Sequence, residues 1–419
     1  MSRRVKILLI SFASVALLGI LLYQIPAFKL AVDWRVEKFT LYLKNSINPP
    51  GPVPTALPMT RLPATQTPHA IPTQVTVPDS FPTSTATLEP LPTQVALTPP
   101  KWEQQTPNNC GPNTLAFALR MYGWQGTQDE IAAQIKPVTG DRNVNPDELV
   151  WYVRNNAGWL NMEYRVAGDI QLLKRLLARR YPVIVESVTS LDPNDALGPT
   201  DDLWAAHYLL LTGYDDAAQT FSIMDSYHES NRSISYQQLE EEWKPFNYVY
   251  MFFYLAQEEA EIKSILGADW DADFNRQQAL EFSQSQTDAN PKDAYAWFNL
   301  GSNLIYFDRN DEAALAFDQS REIGLPLRMF RYQFSPFIAY FQSNRIDDLL
   351  ALTNYALGIT EKSEEAWLWH GYGLFRKGDI NGALADWNKA LKVHPNYCDA
   401  ERAINDYIQP TYNLTNCSP

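Results

Sequence analysis

The sequence predicts an α+β domain in which helices precede an antiparallel sheet, followed by an all-α array of helical repeats and preceded by one helix of membrane-spanning length. Three observations carry this prediction. The hydrophobic period changes from helical to alternating near Pro182, a set of aromatic and small residues recurs 70 residues apart in the C-terminal third, and Ile7 to Ile25 is an apolar run of 19 residues. The divisions that follow are residues 1–28 as an N-terminal membrane anchor, 29–48 as a juxtamembrane segment, 49–100 as a linker, 101–257 as the α+β domain and 258–419 as the repeats.

The apolar run follows Arg3, Arg4 and Lys6 and is interrupted only by small or single polar residues such as Ser11, Ser14 and Gln24. The residues after it, Gln24-Ile25-Pro26-Ala27-Phe28, make a poor small-x-small cleavage site, so a retained anchor is expected over a signal peptide. Positive residues lie on both sides, with Lys29, Arg35, Lys38 and Lys44 beyond the run; the linker argues for the N-terminus inside and the bulk of the chain extracytoplasmic. Pro49 to Pro100 holds 14 Pro and 11 Thr in 52 residues, with almost no charge. Such a stretch has too little apolar surface to fold and is expected to be a disordered linker. As polyproline II, at about 3.1 Å per residue, it can hold the next domain on the order of 100 Å from the membrane.

The stretch that organises the α+β domain is Gln104-Gln105-Thr106-Pro107-Asn108-Asn109-Cys110-Gly111-Pro112 and the helix predicted to follow it. Leu115, Ala118, Leu119 and Tyr122 share one helical face, Pro112 suits the first turn, and Gly123 is a stop signal. A thiol at a helix N-terminus lies in the positive end of the helix dipole, which favours thiolate and makes the sulfur nucleophilic. Gln104 can donate its side-chain amide beside it. Together with the backbone N–H of Cys110, that donor is what an attacking thiolate needs to hold a developing oxyanion.

Further along, Thr127 with Glu130 makes a capping box, Asn145-Pro146-Asp147-Glu148 makes a second helix start, and Asp169 opens a third helix through Leu177. Strands are expected at residues 182–188, 207–214, 221–225 and 247–255. His207 begins one strand and Asp225 ends the next, with a turn at Asp215-Asp216. In an antiparallel hairpin those two positions meet at one sheet edge, as a base and its orienting carboxylate must. His228 is the rival imidazole, in a polar loop.

The Gln, five residues and Cys-Gly-Pro, with Thr127 to Ala132, His207 and Asp225, resemble the C39-like branch of the papain-type cysteine peptidases, the double-glycine-peptidase-like family. The resemblance covers roughly Lys101 to Leu255 and implies a papain-like α+β fold. It implies Cys110 as nucleophile, His207 as general base, Asp225 as its orienter and Gln104 as oxyanion donor, acting on a peptide or protein substrate, and a bacterial origin. Relatives fused to transporters remove leaders after a Gly-Gly pair; this chain shows no ATPase motif and one membrane span, so that substrate is not carried over.

From about Glu258 the sequence turns helical. Trp297, Leu300, Gly301, Ala313 and Phe317 recur as Trp367, His370, Gly371, Ala383 and Trp387. Two periods of about 35 residues resemble a tetratricopeptide (TPR)-like array, with a weaker copy around Leu266, Gly267, Ala279 and Pro291 and a degenerate one from Phe330 to Thr360, giving four helical hairpins. Their concave face is the expected site for a protein partner or substrate. The net charge of −14, with a pI near 4.9, gives no electrostatic footprint for nucleic acid. Cys398 and Cys417 can pair in an oxidising compartment, and no zinc-type spacing or cofactor motif stands out. The sequence therefore predicts a membrane-anchored cysteine peptidase with a recruiting repeat module. The alternative is a binding protein that keeps the fold without turnover.

Overall fold

The computed structural model describes residues 3–58, 90–141, 143–196, 198, 201–229 and 231–407. Helix α1 (Arg3–Tyr23) is long and apolar enough to cross a membrane and buries none of its apolar span. After a break at Gln24 and Ile25, α2 (Pro26–Ile47) leads onto the folded body. Lys38 pairs with Asp195 of the α+β domain, and Lys44 lies 3.4 Å from Glu361 of the repeats, so this helix touches both.

The expectation of a structureless linker over 49–100 is corrected at both ends. Residues 49–58 lie against the repeats, where the buried Arg321 guanidinium donates to the Pro54 and Thr55 carbonyls at 2.8 and 2.9 Å. The N–H of Leu57 donates to Asp348 Oδ1 at 2.9 Å, and Val53 is buried. At the other end β1 (Gln94–Ala96) joins the sheet. Backbone groups explain both attachments: a Pro/Thr-rich chain has little to bury, yet its extended backbone still offers acceptors and, away from proline, donors. Both ends being fixed, this stretch is no spacer between α2 and the α+β domain. Its middle, 59–89, lies outside the described residues.

Three helices lie between β1 and the other six strands: α3 (Cys110–Met121), α4 (Gln128–Ile135) and α5 (Pro146–Asn156). Their starts are set by the caps read from the sequence. Thr127 accepts from the Glu130 N–H, and Glu148 Oε2 accepts from the Asn145 N–H at 2.6 Å. Helix α3 ends where Gly123 takes φ 89°, a left-handed conformation that favours glycine. Phe117 and Leu119 are fully buried, each contributing roughly 1.5–3 kcal/mol through its apolar surface.

The remaining elements of this domain are β2 (Asn161–Arg165), α6 (Ile170–Ala178), β3 (Val183–Ser190), β4 (Trp204–Asp215), β5 (Thr220–Met224), β6 (Arg232–Ser235), α7 (Tyr236–Trp243) and β7 (Tyr250–Tyr254). The seven strands run in the order β2-β7-β3-β4-β5-β6, with β1 also on β4, and every pair is antiparallel. Alternation covers both faces. Ile184, Leu210, Met251 and Phe253 pack under α3 to α5, while Val183, Leu209, Leu211 and Phe252 pack under α6 and α7. Gly213 admits β1, because a Cβ there would sit 2.3 Å from the Val95 carbonyl oxygen. Strands β2 and β6 and helix α7 were not expected from the sequence; both strands are short sheet edges without a clean apolar alternation.

The C-terminal region is helical: α8 (Glu259–Leu266), α9 (Ala272–Ala289), α10 (Ala294–Tyr306), α11 (Asn310–Ile323), α12 (Ser335–Gln342), α13 (Ile346–Ile359), α14 (Glu364–Arg376), α15 (Ile380–Val393) and α16 (Cys398–Tyr407). The internal repeat is visible in atomic detail. Trp297 and Trp367 each donate their indole N–H at 3.0 Å, to the Pro291 and Glu361 carbonyls respectively. Asp293 and Ser363 cap their helices alike. A Cβ on Gly301 or on Gly371 would lie 2.6 Å from the ring of Phe317 or Trp387, so each glycine lets a large ring of the partner helix close the hairpin. The expectation of four hairpins changes to three: α10–α11, α12–α13 and α14–α15. The first is split because Ile262 and Leu266 of α8 pack with Tyr250, Phe252 and Tyr254 of the sheet, leaving α9 to pack alone against α10.

Repeats and sheet share buried contacts. Trp204, Phe246 and Val249 join the same core cluster as Phe298, Phe317 and Phe330. Arg328 grips Asp201 through Nε and Nη2, both at 2.7 Å, and both side chains are buried. Removing one partner of such a pair typically costs about 3–5 kcal/mol, so the two regions are held as a unit.

Candidate active site

The loop before α3 is shaped by one buried glutamine. Gln128 Oε1 accepts from the Thr106 N–H at 2.9 Å and from Asn109 Nδ2 at 2.8 Å, while its Nε2 donates to the Gln104 carbonyl at 3.0 Å. Asn108 turns the chain into the helix with φ 57°, which asparagine tolerates. Cys110 therefore begins α3, half-buried, with Gln104 exposed on the loop beside it.

His207 lies on β4 and Asp225 follows β5, as the hairpin reading requires. Their side chains meet, with Asp225 Oδ1 2.9 Å from His207 Nε2. With Nε2 taken by Asp225, His207 shares the cavity with the Cys110 thiol, and the two act on each other's charge. Asp225 is held from several sides. Its Oδ1 accepts from the Tyr227 and His228 N–H groups at 2.9 and 3.1 Å, Arg232 pairs with Oδ2, and its own carbonyl accepts from Trp102 Nε1 at 2.8 Å. Gln105 is bonded to Ser226 through backbone and side chain, at 2.9 and 2.8 Å, which ties the Gln104 loop to the strand end that carries Asp225.

These contacts set the charges. Burial opposes ionisation of the Cys110 thiol, but the His207 hydrogen bond and charge, with the Tyr208 and Gly111 N–H groups, outweigh it and leave the thiol below its ordinary value. Burial likewise opposes the imidazolium, yet Asp225 and the sulfur push His207 up to about 9. Asp225 is held well below the usual carboxylate range, its burial overcome by His207 and the two N–H groups. The arrangement can therefore store a thiolate beside an imidazolium. The rival His228 does not line this cavity: its ring lies 3.3 Å from Thr189 Oγ1, and burial pushes it down.

Gln104, Cys110 and His207 line one cavity of about 340 Å³. Its far walls were not foreseen from the sequence. Trp34, Lys38 and Tyr42 of α2 form one, and Arg328, Arg331 and Tyr332 of the repeats form another. Sequence reasoning also missed Arg232, Trp102 and Glu186. Glu186 is buried on β3 near Cys110, its carboxyl pushed well up by burial and by the sulfur's charge. Arg232 carried a faint signal, as a cation one short loop beyond Asp225; the others are brought in by register and by contacts remote in sequence.

Cys398 is disulfide-bonded, and Cys417, its expected partner, lies outside the described residues. No curated protein matches the chain. Among solved structures, it is similar to xylellain, a cysteine protease from Xylella fastidiosa, with 18% identity, a TM-score of 0.30 and coverage of 40% of this chain and 87% of that one. It is also similar to a double glycine motif protease from an AMS/PCAT transporter in complex with the leader peptide, with 14% identity, a TM-score of 0.28 and coverage of 39% and 95%. A third likeness is to YrrB, a TPR protein with an unusual peptide-binding site, with 17% identity, a TM-score of 0.28 and coverage of 37% and 77%. Residues 97–251, the stretch that holds Gln104, Cys110, His207 and Asp225, match the model of the Peptidase C39 like family.

Proposed function

We propose that this chain is a membrane-anchored cysteine peptidase that hydrolyses peptide bonds through Cys110, His207 and Asp225. The observation that carries the reading is His207 lining one cavity with Cys110 while its Nε2 meets a carboxylate already fixed by other donors. The Cys110 thiolate attacks the substrate carbonyl, and the oxyanion is held by the Cys110 N–H and the Gln104 amide. The His207 imidazolium gives its proton to the leaving amine as the C–N bond breaks. Water then attacks the thioester with His207 as base, releasing the acid and restoring the thiol. Asp225 keeps the imidazole oriented and supports its charge.

The walls of the cavity support recruitment by the repeats. Arg328 is buried at its edge, and its Nη1 has no hydrogen-bond partner, which fits a donor for a substrate carbonyl or carboxylate. Anchoring through α1 with the remainder extracytoplasmic completes the proposal; TPR-like character of the hairpins belongs to it as well.

The test is hydrolysis of a quenched fluorescent peptide library by the full chain in detergent micelles. Turnover is expected from the parent and not from Cys110→Ala. Iodoacetamide at slightly acidic pH should modify Cys110, the free cysteine among the described residues. Tyr332→Ala should raise KM for protein targets more than for short peptides. A folded protein with neither turnover nor labelling overturns the peptidase reading in favour of a binding module.

A further inference from the structure

The α+β domain and the last hairpin meet at a second cluster of ionisable side chains, outside the cavity that Cys110 lines. Asp141 comes from the loop after α4, Glu148 from the first turn of α5, Glu364 and Glu365 from the first turn of α14, and His394 from the C-terminal cap of α15. All five are more than nine-tenths buried, as is Lys136, whose charge reaches Asp141 and Glu364. Two of the four carboxyls are occupied: Glu365 accepts from Asn143 and Asn145, at 3.0 and 3.2 Å, and Glu148 closes its capping box. The other two leave an atom bare. Oε2 of Glu364 and Oδ2 of Asp141 are buried and have no hydrogen-bond partner.

A buried carboxylate oxygen without a donor is among the costliest arrangements a fold can carry, unless a proton or a cation neutralises it. Here the geometry favours a cation. Glu148, Glu364 and His394 each present one ligand atom, all within 4.8 Å of one another. His394 Nδ1 lies 3.1 Å from Glu364 Oε1, so one small ion can be reached from both. A cleft of about 350 Å³ lined by Glu148, Glu364 and Glu365 runs alongside and gives an entry path. We propose that this cluster binds one divalent transition-metal ion through Glu148, Glu364 and His394, with Asp141 beside them, and that the ion pins the last hairpin to the α+β domain. The mixed donor set of imidazole and carboxylate, without sulfur, suits Zn²⁺ or Mn²⁺ better than Ca²⁺, which takes oxygen ligands. Because the ligands come from three separate elements, no motif spacing in the sequence could announce them.

The test uses the full chain carrying Cys110→Ala, so that the thiol cannot bind metal, exposed in detergent micelles to Zn²⁺ or Mn²⁺ and then dialysed. Metal analysis should find about one equivalent per chain, falling below about a tenth in Glu364→Gln and in His394→Gln. Chelation with EDTA should lower the thermal midpoint of the Cys110→Ala parent and leave those of the two further variants unmoved. Because either substitution can loosen the hairpin by itself, circular dichroism accompanies each variant, and the chelation experiment on the intact cluster stands apart from them. Failure to retain either metal, together with a midpoint that EDTA does not move, overturns the proposal and leaves protonated carboxyls as the account of the cluster. Retention of metal by both folded variants overturns the ligand assignment.

Discussion

His207 and His394 are both buried, and each lies against a carboxylate, at 2.9 Å from Asp225 and 3.1 Å from Glu364. Nevertheless they move in opposite directions. Against burial, Asp225 and the Cys110 sulfur raise His207 to about 9, whereas burial wins at His394 and pushes it down. The difference lies in what each acid holds and in the sulfur that faces His207. Asp225 is stabilised by the ring itself and, beyond it, by two backbone N–H groups, and it pairs with Arg232. Glu364 is desolvated beside Glu365, and burial first, then Glu365, pushes its carboxyl well up. The ring that gains charge here is the one whose carboxylate is kept ionised by further donors and which also faces a sulfur.

Substitution of the two rings is the strongest way to break this comparison. His207→Ala should lower kcat/KM for peptide hydrolysis by at least about 10³-fold. His394→Gln, at a separate site, should change it by less than about twofold in a protein shown to be folded. Equal losses would mean that both rings serve the chemistry. The next effect concerns the acid: Asp225→Asn should cost about 10²-fold in kcat, since orientation and charge support are lost while the proton carrier remains. Unfolding of that variant would instead mark Asp225 as a structural cap for residues 227–228.

The pH profile sharpens the same contrast. Chemistry from a thiolate–imidazolium pair requires His207 protonated, so kcat/KM should decline as pH rises through about 9. In Asp225→Asn that alkaline limb should move to lower pH. Stability follows with defined signs. The raised His207 contributes fully below its ordinary value of 6.5 and loses that contribution as pH rises through about 9. The lowered Asp225 contributes above 3.8 and loses its contribution as pH falls further. Urea midpoints of the parent and of His207→Ala, compared across pH, measure the first of these terms. The smallest effect is expected from Arg232→Gln, a loss of only a few-fold in kcat, because Arg232 is partly exposed and the two N–H groups still hold Asp225. A loss as deep as that of Asp225→Asn would show that the ion pair, and not the backbone, fixes the acid.

Much of the active-site half was legible because its signals are local. The caps at Thr127, Asn145 and Asp169 act within three residues, and the pairing of His207 with Asp225 needs only one hairpin. What escaped depends on contacts between distant segments. Arg232 is read correctly only once β6 is seen beside β5, and Trp102 only once its indole reaches the Asp225 carbonyl. The same holds for Pro54 and Thr55: their sequence announces disorder, and it is Arg321, on a helix far along the chain, that gives their carbonyls a partner. The repeat was legible through Gly371 and Trp387, whereas the departure of α8 from it was not, since Leu266 fits either packing.

Helix α2 joins a membrane-length helix to the wall of the cavity that Cys110 lines, and that limits how far the cavity can stand from α1. Trp34 and Asn45 both line the cavity and lie about 12 and 29 Å along α2 from its start, at 1.5 Å per residue. With α1 in a bilayer, the cavity wall that α2 supplies cannot stand farther from the end of α1 than about the greater of these lengths. On the proposed peptidase reading, a substrate bond displayed much farther out does not reach Cys110, however well its sequence fits. Model substrates tethered to vesicles through spacers of graded length would read out this limit directly: cleavage should peak at one spacer length, and a flat response would show that the enzyme does not measure distance.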